Sequence, residues 1–323
     1  MTADGRYRLR SILSLGIAIL VLALAIFYWS ELMQAISKIS IPWVLAGSSI
    51  YMLNYALRAL RLKFISNHQI RWWPEGLYAS CAHGFTTYII PFRAGDLALP
   101  LILQSVTPFD LAQGSRILVR ARLLDAQTLG LWILIAAVTA NFPMARALQF
   151  AWFTSGIILL IAPWAIKFVQ QIGFFHQFSI VQKASVFFTE EPQAKYSSIL
   201  SVAIWLAIAG CYFCAARAVG LDLSPMQVWL LITIQLPLQL LPIQGVASTG
   251  AHEGGWVAAL LLLGVPMSSA VEFALTSHVV IIIYVLMIGL LATCFSQFCK
   301  HTTIFTKREE VHPMLPPEDE DGR

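Results

Sequence analysis

The sequence predicts an all-α polytopic membrane protein with about six full transmembrane helices and two re-entrant or broken helix pairs in an inverted repeat. Hydrophobic residues make up 58% of the 323 residues and charged residues only 12%, and the mean hydropathy is +0.72. A soluble domain of this length would lack the surface charge that keeps it dissolved. Basic residues stand at the ends of recurring apolar runs. The net charge of +4 therefore indicates membrane topology rather than a nucleic-acid partner.

Six apolar runs have the length of a transmembrane helix, which is roughly 17 to 25 residues. They lie near residues 12–30, 43–63, 115–140, 151–169, 197–218 and 270–296. The first run follows three arginines, as in a signal peptide, but no small-residue cleavage pattern follows it, so we expect an uncleaved helix. Together the runs predict one transmembrane domain over residues 1–306. The acidic, proline-rich residues 307–323 predict a disordered cytoplasmic tail.

Two further regions, residues 77–104 and 226–265, each hold two shorter apolar pieces separated by a break. Both breaks combine proline, glycine and a carboxylate; their residues are Pro91, Gly95 and Asp96 in the first, and Pro242, Gly245, Gly250 and Glu253 in the second. A continuous helix through such a break would lose backbone hydrogen bonds, and lipid does not tolerate exposed irregular backbone. Each region is therefore predicted to be a re-entrant hairpin or a broken helix pair that lines a cavity inside the protein.

Basic residues orient the chain. Arg6, Arg8 and Arg10 place the N-terminus in the cytoplasm, and lysines and arginines near residues 61–71, 170–196 and 300–308 place these segments there too. With six full spans, the first hairpin then enters from the cytoplasmic side and the second from the outer side. The predicted localisation is the cytoplasmic membrane of a bacterium, with both termini inside.

A weak internal match supports duplication. Asp96 is followed by a proline 12 residues later and an alanine 4 residues after that, and Glu253 is followed by the same pair at spacings of 13 and 4. Paired breaks of inverted topology are a recurrent feature of alternating-access carriers, with the binding site between them. The match therefore predicts an inverted repeat.

Ionisable residues within apolar segments are costly in lipid and mark candidate binding sites. The candidates here are Arg58, Arg93, Asp96, Arg122, Asp125 and Glu253. Guanidinium groups suit a phosphate, because their planar donors match its oxygens. The half-helices that follow the breaks would add partial positive charge from their N-termini. The set predicts a phosphate pocket on the cytoplasmic side, with the acids balancing charge or taking protons.

Each candidate also has a structural interpretation. Asp96 and Glu253 stand where a carboxylate caps the first turn of a helix. Arg122 precedes Asp125 by three residues, so the two can pair within one helix. Two other arginines near the ends of predicted spans, Arg61 and Arg116, are expected to extend to anionic headgroups and set topology.

Motifs for enzymatic chemistry are missing from the sequence. His83, His252 and His278 have no metal-ligand spacing, and neither a nucleophile elbow nor a nucleotide-binding loop occurs. We therefore expect a protein that is not an enzyme and uses no metal or cofactor. An intramembrane enzyme acting on lipid phosphates is disfavoured because no nucleophile–base pair is visible.

Four segments, residues 54–65, 89–103, 120–125 and 240–266, resemble the lysylphosphatidylglycerol synthase transmembrane-region family. The resemblance places the family's P-x-x-x-G-E motif at Pro91, Gly95 and Asp96, where aspartate replaces the usual glutamate. Its R-x-x-D motif falls on Arg122 and Asp125, and its late G-x-x-E on Gly250 and Glu253. The family comprises flippase-like proteins, including some associated with hopanoid biosynthesis. The larger synthases add a soluble aminoacyl-transfer domain; we expect none in this sequence, so the resemblance implies translocation or lipid handling rather than aminoacylation.

The leading functional hypothesis is a lipid translocase that moves an anionic or glycosylated lipid between leaflets of the cytoplasmic membrane. Its partners would be membrane lipids, of anionic, polyprenyl or hopanoid type. The alternative is a non-transporting scaffold, or partner, of a lipid- or cell-envelope-modifying enzyme. Tolerance of changes at Asp96, Arg122 and Glu253 would favour the scaffold.

Overall fold

The computed structural model describes Ile26 and residues 29–37, 39–139, 146–171, 193–239 and 244–311. Within these ranges the secondary structure is helical and contains no strand, which confirms the predicted all-α class. The ten α-helices of the described ranges are α1 (Trp29–Ser37), α2 (Ile41–Ile65), α3 (Leu77–Ile89), α4 (Ala98–Val106), α5 (Leu111–Thr139), α6 (Arg146–Gln171), α7 (Ala194–Ala218), α8 (Pro225–Gln239), α9 (Ala251–Leu262) and α10 (Met267–Val311).

Three of the described helices are long and apolar enough to cross a membrane: α5, α7 and the Met267–Cys299 part of α10. The chain is therefore an integral membrane protein. Helix α6 contains a shorter apolar stretch, Gln149–Ala162. Helix α2 has 25 residues but carries polar and charged side chains along its second half. Most of the predicted first span lies outside the described residues, as do residues 312–323 of the predicted tail, whose first residues belong to α10.

The outer surface of these helices is apolar, as a lipid environment requires. Leu101, Leu286 and Leu290 are among the large aliphatic side chains that are more than half exposed. The largest buried apolar cluster joins α7, α8, α9 and α10 to α5, and a second cluster joins α2 to α5 through α3 and α4. Each cluster therefore joins the helices on both sides of one of the two predicted breaks.

The order of elements repeats. A long helix, two short helices and another long helix occur as α2, α3, α4 and α5, and again as α7, α8, α9 and α10. Helix α2 packs along its counterpart α7, α3 packs against α10, and α8 packs against α5. Corresponding helices of the two sets thus occupy corresponding neighbourhoods.

The first break is a short 3-10 segment, Pro91–Leu97, between α3 and α4. Pro91 lies in its first turn, where the missing amide proton costs no hydrogen bond. The chain reverses at Phe92 and Arg93, whose φ values of 57° and 55° lie in the left-handed region. Gly95 is required in this break for close packing. A Cβ atom there would overlap the carbonyl group of Thr86, so glycine permits the break to pack directly on α3.

The second break covers the described residues 244–250, between α8 and α9. Gly245 lies within this break, as predicted, but its backbone is extended, with φ −77° and ψ −168°. The left-handed positions are instead Ala247 and Ser248, with φ 53° and 62°, and Gly250, with φ 81°. Pro242 lies outside the described residues. The glycines of the sequence therefore predicted where the break lies, but two non-glycine residues, Ala247 and Ser248, adopt most of its left-handed conformation.

The two breaks touch each other. The backbone amide of Phe92 donates a hydrogen bond of 2.9 Å to the backbone carbonyl of Gln244. The second break also packs against α3. Two segments that lie about 150 residues apart in sequence therefore share one interior junction, which positions the polar groups described next.

Candidate functional site

A cavity of about 180 Å³ lies where α2, α3 and α5 meet the two breaks. Four arginines contribute to its wall, one from the first break, two from α2 and one from α5. The remaining lining is largely aromatic and polar. The residues used below are Tyr55, Arg58, Arg61, His83, Tyr88, Arg93, Arg122, Gln244 and Ser248.

Asp96 joins the first break to α5. Its Oδ1 accepts a hydrogen bond of 2.5 Å from Arg122 Nη2, and its Oδ2 accepts one of 3.1 Å from Arg93 Nε. Thr87 Oγ1 on α3 donates a further bond of 3.1 Å to Oδ1. Helix α4 has no side-chain cap. The predicted capping role of Asp96 is therefore wrong, because arginines and a threonine take up its oxygens instead.

Asp125 joins α5 to α2. Its Oδ1 accepts a hydrogen bond of 2.5 Å from Arg61 Nη1, and Arg61 also donates one of 2.9 Å to Ser201 Oγ on α7. The side chain of Arg61 is only 4% exposed. The expectation that Arg61 extends to the membrane surface is therefore wrong. Helix α2 turns this side chain inward, where a carboxylate and a hydroxyl compensate its charge.

The predicted pair within α5 is present but secondary. Arg122 Nη1 lies 3.4 Å from Asp125 Oδ2, farther than the 2.5 Å contacts that each residue makes elsewhere. Arg122 bridges two carboxylates through its two terminal nitrogens. The result is a continuous series of alternating charges across three elements, in the order Arg93, Asp96, Arg122, Asp125 and Arg61.

Arg58 stands outside this series. Its Nε donates a hydrogen bond of 2.7 Å to Asn54 Oδ1, and its guanidinium carbon lies 5.8 Å from the centre of the Tyr55 ring. Among the described residues, no carboxylate forms an ion pair with it. The cavity and its series thus hold four guanidinium groups and two carboxylates. Counted over the described ranges, two positive charges remain in excess, which is an arrangement suited to an anion.

Glu253 lies in a second cluster behind the second break. Its Oε2 accepts a hydrogen bond of 2.7 Å from the amide of Gly250, so the predicted cap is confirmed. Its Oε1 contacts His278 Nδ1 on α10, and His278 Nε2 lies 2.9 Å from the carbonyl oxygen of Ala247. Glu253 does not line the cavity. Four of the six predicted site residues, Arg93, Asp96, Arg122 and Asp125, therefore meet in one network. Arg58 lies beside them in the cavity, and Glu253 belongs to another cluster.

Sequence reasoning missed several residues of the site. Gln244 and Ser248 line the cavity because the two breaks meet, which no local pattern predicts. A signal for His278 existed: it follows Glu253 by 25 residues, much as Arg122 follows Asp96 by 26. Arg116 lines a separate recess of about 320 Å³ near the adjoining ends of α2 and α5, and its contact with headgroups stays a prediction.

No metal centre is visible in the part of the chain that the structure describes. Its His, Cys, Asp and Glu side chains form no group of three or more that could hold an ion. His83 Nε2 lies 3.8 Å from Asp96 Oδ1, but arginines surround that carboxylate. A third ligand would have to displace these cations.

Comparison with protein families gives one match, to the lysylphosphatidylglycerol synthase TM region, over residues 11–289. The matched range includes both breaks and every residue of the two clusters. Comparison with curated proteins and comparison with solved structures gave no match. The resemblance of the four sequence segments is thereby confirmed, and the chain belongs to the family of the lysylphosphatidylglycerol synthase transmembrane region.

Proposed function

We propose that this protein is a lipid translocase that takes an anionic headgroup into the arginine-lined cavity while the acyl chains stay in the bilayer. The single observation that carries the proposal is the excess of positive charge in an interior cavity, with Arg58 unmatched by any described carboxylate. A permanently charged side chain is expensive inside a membrane domain unless an anion compensates it. A bound phosphate would supply that compensation.

The chemistry of the cavity favours a phosphate. Arginine remains charged and presents planar donors that match phosphate oxygens. The rings of Tyr51 and Tyr55, whose centres lie 5.1 Å apart at an interplanar angle of 58°, form a wall beside Arg58 that suits the glycerol or sugar part of a headgroup. Anionic phospholipids and phosphorylated or glycosylated polyprenyl lipids both present such groups.

The repeated order of elements supports a carrier architecture. In this proposal six helices span the membrane of a bacterium, both termini are cytoplasmic, and the two broken pairs are re-entrant hairpins of inverted topology. The hydrogen bond between Phe92 and Gln244 supports a shared site where the hairpin tips meet. Irregular backbone at membrane depth is tolerated where it lines such a cavity.

Reconstitution tests the proposal. The purified protein is placed in vesicles that contain phosphatidylglycerol with a fluorescent NBD label on one acyl chain, and dithionite quenching reports the crossing rate. We expect acceleration for this lipid and little for the matched phosphatidylcholine. Equal crossing in protein-containing and empty vesicles, for phosphatidylglycerol and for a labelled polyprenyl phosphate, would refute translocation.

The variant Arg58→Gln tests whether the cavity itself binds the headgroup. Loss of one charge-assisted contact costs about 1.5–3 kcal/mol, so the crossing rate at subsaturating lipid should fall at least about tenfold. Arg217→Gln is the matched control, because Arg217 is also partly buried but pairs with Asp222 away from the cavity. An equal effect of both changes would assign the loss to general damage.

A scaffold for a lipid-modifying enzyme is the second candidate. It is favoured by the pairing within the charge series, since Asp96, Arg122 and Asp125 already find their partners inside the protein. Complementation of a deletion strain separates the two functions. A translocase should fail with Asp96→Asn, Arg122→Gln and Glu253→Gln, whereas a scaffold should tolerate all three if the proteins are stable.

A further inference from the structure

Each break has a carboxylate that pairs with a basic side chain, but the base is an arginine in one pair and a histidine in the other. In each, the carboxylate pairs with a basic side chain on the long helix that follows. Asp96 pairs with Arg122, 26 residues later, and Glu253 pairs with His278, 25 residues later. Arginine keeps its charge at any physiological pH, whereas histidine gains and loses a proton near neutrality. The first break therefore carries a fixed charge, and the second carries one that can change.

The contacts of His278 determine how many protons the second pair holds. Nε2 faces the carbonyl oxygen of Ala247 at 2.9 Å, so this nitrogen must carry a hydrogen. Nδ1 faces Glu253 Oε1, and the other carboxylate oxygen accepts the amide hydrogen of Gly250. One proton must therefore lie between Nδ1 and Oε1. Without it, a carboxylate would face a nitrogen lone pair.

Because the Glu253–His278 pair is buried, loss of its proton should disturb the surrounding structure. Glu253 is 6% exposed and His278 5% exposed, so water cannot replace the lost interaction. The ionisable groups that face the pair are His252 on α9, whose ring stacks on His278 at 4.5 Å, and Tyr88 on α3, whose ring lies 6.1 Å away. Tyr212 on α7 lies one ring farther, against Trp256, and α8 contains no ionisable residue. Among the described residues, no arginine or lysine forms an ion pair with Glu253.

A short series of contacts links the pair to the cavity. His278 holds the carbonyl of Ala247, which begins the left-handed turn of Ala247 and Ser248. Ser248 and Gln244 both line the cavity, and Ser248 Oγ lies 3.4 Å from Gln244 Oε1. Gln244 in turn accepts the amide hydrogen of Phe92 in the first break. Because non-glycine residues in the left-handed region are strained, release of the His278 contact should let this wall of the cavity move.

We propose that Glu253 and His278 form the proton-binding site that couples a proton gradient to lipid movement. With the proton bound, the Glu253–His278 pair holds the imidazole ring against the Ala247 carbonyl and so clamps the second break against the first. When the proton leaves, the Glu253 carboxylate repels the Nδ1 lone pair, the ring moves away from Ala247, and the headgroup site changes. No bond other than that of the proton is made or broken, and the proton moves to water on the side to which the site is open. This inference rests on the proposed translocation and adds its source of energy.

The first test applies a pH gradient to the vesicles described above. For one proton per lipid, a gradient of one pH unit should shift the leaflet ratio of labelled phosphatidylglycerol by up to about tenfold, and an ionophore should abolish the shift. His278→Gln and Glu253→Gln retain hydrogen-bonding amides but cannot exchange the proton, so both should remain insensitive to the gradient. His68→Gln, at an exposed histidine beyond α2, is the matched control and should respond like the unchanged protein.

The outcomes separate the two proposals. If the unchanged protein accelerates crossing but ignores the gradient, or if His278→Gln still responds to it, the proton site is refuted while translocation stands. If nothing crosses faster than in empty vesicles, both are refuted.

A second measurement tests whether the contact between His278 and the second break opens with pH, and it does not depend on lipid transport. Ser248→Cys is introduced after the five native cysteines are replaced by alanine, and a soluble maleimide labels it at pH 6 and pH 8. Thiol ionisation raises labelling at pH 8 in every background, so the ratio is compared with that of the same protein carrying His278→Gln. We expect a several-fold larger increase when His278 is present. Identical ratios in both backgrounds, with both proteins monodisperse, would overturn the clamp.

Discussion

Arg61 and Asp125 form an ion pair that joins α2 to α5 in the protein interior. The Arg61 Nη1 and Asp125 Oδ1 atoms lie 2.5 Å apart, and the two side chains are 4% and 13% exposed. Ser201 on α7 accepts a second bond from the same guanidinium. A single arginine in the wall of the proposed headgroup cavity thus holds three helices of the two repeated sets together.

Removing one member of this pair should be strongly destabilising. Asp125→Asn leaves the Arg61 charge buried without a carboxylate, and such changes cost about 3–5 kcal/mol. The double variant Arg61→Met with Asp125→Leu removes both charges and should recover most of that loss. Urea unfolding in a mild detergent provides the measurement.

Asp222→Asn is the control for that series. Asp222 pairs with Arg217, but its side chain is 83% exposed, so the loss should stay below about 1 kcal/mol. A similar small loss for Asp125→Asn would show that Arg61 finds water or another partner, and that the interior pair does not hold the helices together.

Gly95 and Gly254 provide a second contrast. Gly95→Ala places a Cβ against the backbone of Thr86 and 2.6 Å from Thr87 Cα, which only a shift of the break can relieve. The expected cost is about 1–3 kcal/mol, with a loss of transport because Thr87 also holds Asp96.

Gly254→Ala is the matched change within α9, where nothing lies within 4 Å of the added atom. It should leave the protein unchanged or stabilise it by up to about 1 kcal/mol through helix propensity. Thermal unfolding of both variants checks the pair. Equal tolerance would mean that the first break does not require its close approach to α3.

Much of the fold was accessible from local sequence. Prolines and glycines in apolar runs predicted both interruptions, and charge within apolar segments predicted four residues that meet in one network and a fifth, Arg58, that lines the same cavity. Arg61 was misjudged because an arginine near a helix end can turn either way, and only the positions of Asp125 and Ser201 on other helices decide which. Gly245 located the second break but not its left-handed turn, which falls on Ala247 and Ser248 and is held by the distant His278. Such contacts join helices that are far apart in the sequence, so the residues around each position give no sign of them.

If the two broken helix pairs have inverted topology, the turns that flank the first pair face the cytoplasm and the turns that flank the second pair face the outside. We expect single cysteines at Asn67 and Ala112 to be labelled from the cytoplasm, and those at Asp222 and Ser268 from outside. All four positions are exposed. A membrane-impermeant maleimide applied to intact and opened spheroplasts, in the cysteine-free background, gives the side directly. Labelling of all four from one side would exclude the inverted repeat.

Arg122→Lys tests the bridging geometry of the site rather than its charge. Arg122 contacts Asp96 through Nη2 and Asp125 through Nη1, and one ammonium group cannot reproduce both contacts in the same positions. We expect the protein to fold but to lose at least about tenfold in lipid crossing, which corresponds to about 1.4 kcal/mol. Arg217→Lys is the matched control, since the two arginines are 34% and 33% exposed. Retained transport with Arg122→Lys would show that a point charge suffices, and that the fork between the two acids is not required for headgroup binding.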